Sequence, residues 1–209
     1  MGDIRIEELS DMEFDVLKEI SNIGTGNAAT AISKMLNGKV DIKVPVIRFL
    51  NFDELGDVVG GDEKEVIGIL VTLENDIDGM MMFVLDKKSA SVVINGILNP
   101  DAEEVPEITG ELTEMENSVL TEFGNIIAGS YLSAISKLTG LVVSPSVPAL
   151  SDDMAGAVLS VPAIEFGKVS DKVLLIQSVF NTQCNEAEGF FILVPTLKAF
   201  DTIFKRLGL

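Results

Sequence analysis

Between Asp11 and Met35, apolar residues return at the three- and four-residue spacing of an amphipathic helix: Phe14, Leu17, Ile20, Ile23, Ala28, Ala31 and Met35. Asn37-Gly38 supplies the stop. Over 39–49 the period drops to two, which predicts a strand, and 52–59 reads as a short helical stretch. Two apolar runs, 66–73 and 79–85, flank the turn residues of 75–78 and predict a hairpin. Asp86 then stands where a cap belongs, ahead of a helix over 87–98.

A stretch rich in Pro, Glu and Asp, 99–110, reads as a connector. Beyond it the order repeats. A helix is predicted over 113–138 and a strand over 141–147, then an acidic loop, 150–156, that looks like an insertion absent from the first half. Strands at 158–166, 173–181 and 189–194 lead into a last helix, 195–207. Each half exposes an apolar face that it cannot cover alone. The expected fold is therefore α+β and internally duplicated, a pseudo-two-fold single domain over 1–209 with antiparallel sheet and two long exposed helices. Its halves are 1–100 and 108–209.

The repeat extends to polar positions. At an offset of 103 residues, 13 of the 31 positions from Asp15 to Pro45 are identical, among them Glu19 with Glu122, Asn22 with Asn125, Gly26 with Gly129 and Pro45 with Pro148. At about 100° per residue, Asp15, Glu19, Asn22, Gly26 and Ser33 fall near one line, away from the apolar face. The second copy gives Ser118, Glu122, Asn125, Gly129 and Ser136. Folding needs account for a shared apolar frame, not for a shared exposed Glu and Asn. A mid-helix glycine costs about 1 kcal/mol against alanine. Its recurrence one turn past each asparagine suggests that something approaches closely there.

Composition narrows the chemistry. With 33 acidic and 15 basic residues the formal charge is −18, which argues against nucleic acid and against an anionic membrane surface. Mean hydropathy is +0.37, yet no apolar run approaches the ~20 residues of a spanning helix. The N-terminal residues lack a signal-peptide pattern, and a single cysteine, Cys184, excludes a disulfide framework. A cytoplasmic protein is expected. No histidine is present, which removes the commonest general base and every Ser–His or Cys–His arrangement.

What remains is amides, carboxylates and hydroxyls. A carboxamide offers two donors and an acceptor, so it can hold a water against a second oxygen, but it is neither base nor nucleophile. A Glu facing a phosphoryl group is repelled unless it meets a cation. The pair suits a helix that docks on a partner already holding a metal, a lysine and a phosphoryl group, where catalysis is mostly orientation and electrostatics.

The motif D15-x3-E19-x2-N22-x22-P45 and its copy S118-x3-E122-x2-N125-x22-P148 resemble the signature of the CheC family of chemotaxis phosphatases. That resemblance implies hydrolysis of the aspartyl phosphate of the response regulator CheY. It implies that Glu19 and Glu122 bind the receiver domain and that Asn22 and Asn125 orient the hydrolytic water. Asp15, Gly26, Ser118 and Gly129 complete the substrate-binding stripes. No cofactor is expected on this chain; Mg2+ is expected in the CheY partner. The family also implies stimulation by the deamidase CheD, for which the acidic stretch 150–156 is the candidate contact.

Two other readings compete. One is the phosphatase core of a flagellar switch protein, disfavoured because the added domains of such proteins are not seen. The other is a non-catalytic adaptor that sequesters phosphorylated CheY or CheD. G24-x-G26-x-x-A29 imitates a dinucleotide fingerprint, but it falls inside a predicted helix instead of after a strand. The scattered acids, including Asp101, Glu103, Asp152 and Asp153, do not form a calcium loop.

Overall fold

The computed structural model describes residues 10–36, 38, 40–43, 46–100, 102, 105–166, 172–181 and 186–209. Both long helices begin in the same way. In α1 (Asp11–Met35), the Ser10 hydroxyl accepts from the Glu13 amide at 3.3 Å, while the Glu13 carboxylate accepts from the Ser10 amide at 2.7 Å. In α4 (Glu114–Thr139), Thr113 and Glu116 repeat this capping box at 3.3 and 2.8 Å. Gly140, in the left-handed region at φ 71°, ends α4.

The strands are β1 (Asp41–Ile42), β2 (Val46–Asn51), β3 (Glu65–Asn75), β4 (Gly79–Asp86), β5 (Val143–Pro145), β6 (Ala149–Met154), β7 (Lys172–Asn181) and β8 (Glu186–Pro195). Together they form one sheet with β8 and β4 paired antiparallel at its centre, from Gly79 opposite Pro195 to Leu85 opposite Gly189. The hairpin partners β3 and β7 lie outside these two. Beyond them the halves exchange strands. β1 and β2, from the first half, pair with β7; β5 and β6, from the second, pair with β3.

Helices cover both faces of the sheet. Odd positions of β4, such as Met81, Phe83 and Leu85, join Leu17 and Ile20 of α1 and Leu120 and Phe123 of α4 in the larger core. That core also holds residues of α3 (Lys87–Leu98) and α6 (Leu197–Leu207), such as Val92 and Phe200. Even positions, Met82 and Val84, face a second core with Leu55 and Val59 of α2 (Leu55–Val59) and Val158 and Leu159 of α5 (Ala155–Phe166). A strand buried on both faces alternates sides without alternating polarity, which is why GMMMFVL is uninterrupted.

Three expectations need correction. The span 158–166 is helix α5, not a strand. Its β-branched residues and Pro162 disfavour a helix locally, but Ala155, Val158, Leu159 and Pro162 are buried at helical spacing. Gly68 of β3 is what admits this helix: a Cβ there would lie 2.4 Å from Val158 Cγ1. The span 150–156 is no inserted loop. It holds strand β6, in register with β3 from Glu65 opposite Met154 to Leu70 opposite Ala149, and the start of α5. Residues 149–154 are the counterpart of Val46–Asn51 at the 103-residue offset. The predicted strand over 39–49 is two, β1 and β2. Pro45, Cys184, Asp101, Glu103 and Glu104 lie outside the described residues.

Candidate functional site

The outward faces of α1 and α4 are set by what their inward faces must bury. In α1, Leu17, Ile20, Ser21, Gly24, Thr25, Ala28 and Ile32 are buried. A Cβ at Gly24 would come within 2.6 Å of Tyr131 Cδ1 on α4, so the absence of a side chain lets the two helices close on each other. Beside it, Thr25 Oγ1 and the Tyr131 hydroxyl share a hydrogen bond of 2.8 Å, and the Tyr131 ring stacks on Phe191 of β8 at 4.2 Å. Burial raises the Tyr131 phenol above its ordinary value of 10.0, although hydrogen bonds with Thr25 and Ser178 act in the opposite direction. A small void of about 10 Å³ lies among these residues. The rotation of each helix is thereby fixed from beneath.

Asp15, Glu19, Asn22 and Gly26 are all exposed on α1, and Ser118, Glu122 and Asn125 on α4; Gly129 is half-buried. Glu19 and Asn22, three residues apart, are neighbours on the helix surface. The side chains of Glu19, Asn22, Glu122 and Asn125 make no hydrogen bond or ion pair with any described residue. Their polar atoms are free to meet a visitor. At Gly26 and Gly129 a Cβ would find nothing within 4 Å, so neither glycine serves packing against another element among the described residues.

The rest of the stripe is less uniform. Asp15 pairs with Lys18 at 3.1 Å, and the Ser118 hydroxyl donates to the Glu114 carbonyl at 2.9 Å. Ser33 departs from it: half-buried, its hydroxyl accepts from the Val40 amide at 3.0 Å and ties α1 to the strand that follows. Three residues before Asp15 and Ser118, Met12 and Met115 stand 65 % and 62 % exposed. Their equal offset was available in the sequence, but single methionines near a helix start gave no chemical reason for attention. The polar group beneath the helices, Thr25, Tyr131 and Ser178, was not legible either, because its members come from three elements.

The site is a pair of exposed helix faces instead of a cleft. Among the described residues, no group of three or more His, Cys, Asp or Glu side chains is placed to hold a metal, and no helix is long and apolar enough to cross a membrane. The surface offers amides and carboxylates to another molecule.

Two segments of the chain, 12–48 and 115–151, match the model of the CheC-like family, each containing one Glu–Asn stripe. The chain is 36% identical over 203 residues to the CheY-P phosphatase CheC of Bacillus subtilis, covering 96% of both. It is 27% identical over 143 residues to the flagellar motor switch phosphatase FliY of the same bacterium, covering 68% of this chain and 36% of that one. In fold it resembles the crystal structure of Thermotoga maritima FliY, with a TM-score of 0.74 at 22% identity, over 96% of this chain and 98% of the other. Duplicated stripes, matched segments and a relative alike from end to end agree: the chain belongs to the CheC-like family.

Proposed function

We propose that this chain is a phosphoaspartyl phosphatase that hydrolyses the aspartyl phosphate of the chemotaxis response regulator CheY in the cytoplasm, using two equivalent sites. The observation that carries this reading is the pair of exposed Glu–Asn stripes on two helices locked together from beneath. Support comes from a relative named a CheY-P phosphatase, alike over 96% of its length.

In the proposed reaction, Glu19 or Glu122 pairs with a lysine of the receiver and anchors the helix. Asn22 or Asn125 accepts from the attacking water with its carbonyl and donates with its NH2 towards a phosphoryl oxygen. The water oxygen bonds to phosphorus as the phosphorus–oxygen bond to the receiver's aspartate breaks. Inorganic phosphate leaves with both of the water's protons, and the aspartate returns as a carboxylate. Mg2+ is expected on the receiver, where it would neutralise developing charge. The amide contributes position, and positioning can supply several kcal/mol of a barrier (about 7–11 in the best-oriented intramolecular cases). CheD is carried in the proposal as a stimulating partner, without an assigned surface.

A sequestering adaptor would need the same stripes, so stoichiometry separates the two. The chain at one-hundredth of the concentration of phosphorylated CheY is expected to release phosphate through many turnovers, faster still with CheD. Phosphate loss slowed in proportion to the chain added, with no turnover, would establish the adaptor instead.

A further inference from the structure

We propose that Met12 and Met115 extend the two stripes and seat on an apolar patch of the CheY receiver domain, setting affinity and not the chemical step. This rests on the phosphatase reading above.

At 100° per residue, Met12, Asp15, Glu19, Asn22 and Gly26 lie within about 80° of arc, so the methionine continues the same face by one turn. Met115 does so ahead of Ser118, Glu122, Asn125 and Gly129. Both side chains stay well over half exposed although each sits in the first turn of a helix whose other face is core. Other exposed apolar residues are not matched in this way among the described residues. At the 103-residue offset, Val46 is matched by Ala149 and Met154 by Asn51. Among the described residues, Met12 and Met115 are the one pair of large apolar side chains exposed at matching positions of both copies.

Ten residues separate Met12 from Asn22, about 15 Å along the helix. A standard interface of about 800 Å² per partner is roughly 30 Å across. A receiver centred on the asparagine therefore reaches the methionine, at the rim and away from the phosphoryl group. The capping boxes Ser10–Glu13 and Thr113–Glu116 fix this first turn in place. An unbranched thioether then supplies an adaptable apolar contact on a preset base.

The test compares Met12→Gln with Met115→Gln against Met12→Leu with Met115→Leu, each pair in one chain, in steady-state phosphate release over a range of phosphorylated CheY. The glutamine pair is expected to raise KM about five- to tenfold, the gain of burying most of an apolar side chain, with kcat within twofold and the thermal midpoint unchanged. The leucine pair should keep KM near that of the unaltered chain. An unchanged KM in the glutamine pair, or a fall in kcat at constant KM, overturns the inference while leaving the phosphatase reading intact. No phosphate release by the unaltered chain overturns that reading and this inference with it. Should the glutamine pair lower the thermal midpoint, Met12→Lys with Met115→Lys gives the same KM comparison.

Discussion

At Gly26 and Gly129 a methyl group would meet nothing among the described residues, and yet each sits within a long helix. Alanine at either position is expected to stabilise the protein by up to about 1 kcal/mol, because it removes the backbone entropy that glycine loses on folding. In the proposed complex the receiver comes down on these positions, so Gly26→Ala with Gly129→Ala should raise the denaturation midpoint and slow phosphate release. A double variant both more stable and fully active would remove the glycines from the docking face. These two glycines were legible because they recur beside Glu and Asn. Gly24 was not, since its reason is Tyr131, 107 residues away in sequence and in van der Waals contact in space.

Among the elements, α3 depends on Asp86, whose carboxylate accepts from the Ser89 amide at 2.8 Å and from Lys64 Nζ at 3.1 Å. Burial opposes its ionisation, but the Ser89 bonds and the Lys64 charge outweigh that and hold its pKa below the ordinary 3.8. A carboxyl with a depressed folded pKa stabilises the fold above its unfolded value, and that contribution is lost as pH falls through the folded one. Asp86→Ala is therefore expected to cost about 1 kcal/mol at pH 7. The gap from the unaltered chain should narrow as pH drops below about 4; a gap constant with pH would mean the ionised cap contributes nothing. This cap was readable from one residue and its successors. Helix α5 was not, because Val158, Val161 and Ile164 favour strand and only burial at 155, 158, 159 and 162 against the sheet makes it a helix. The repeat itself held the missing signal. The first-half stretch 52–59 has a helical pattern, and at an offset of 103 it falls on 155–162.

In the whole molecule, the strands that follow α1 complete the sheet beside β7, and those that follow α4 complete it beside β3. Neither half holds its own outer strands. Periodicity shows where strands are but not which partners they choose, so the exchange was invisible in the sequence although the duplication was plain. Tyr131, with no tryptophan in the chain, is the only tyrosine and sits where α1, α4 and β8 meet. Its fluorescence and the far-UV circular dichroism should follow one denaturant transition with a shared midpoint; two separated midpoints would mean the halves come apart independently. The duplication also gives the central claim its sharpest form, two outward amides per chain that finish chemistry begun on another protein. The measurement is phosphate release from phosphorylated CheY by Asn22→Ala, Asn125→Ala and the two combined, with receiver binding followed in parallel. Each single variant should keep about half the turnover, as independent sites require. The combined variant should lose about a hundredfold or more, the scale of removing one oriented polar group, while still binding. Undiminished release by the combined variant would contradict it.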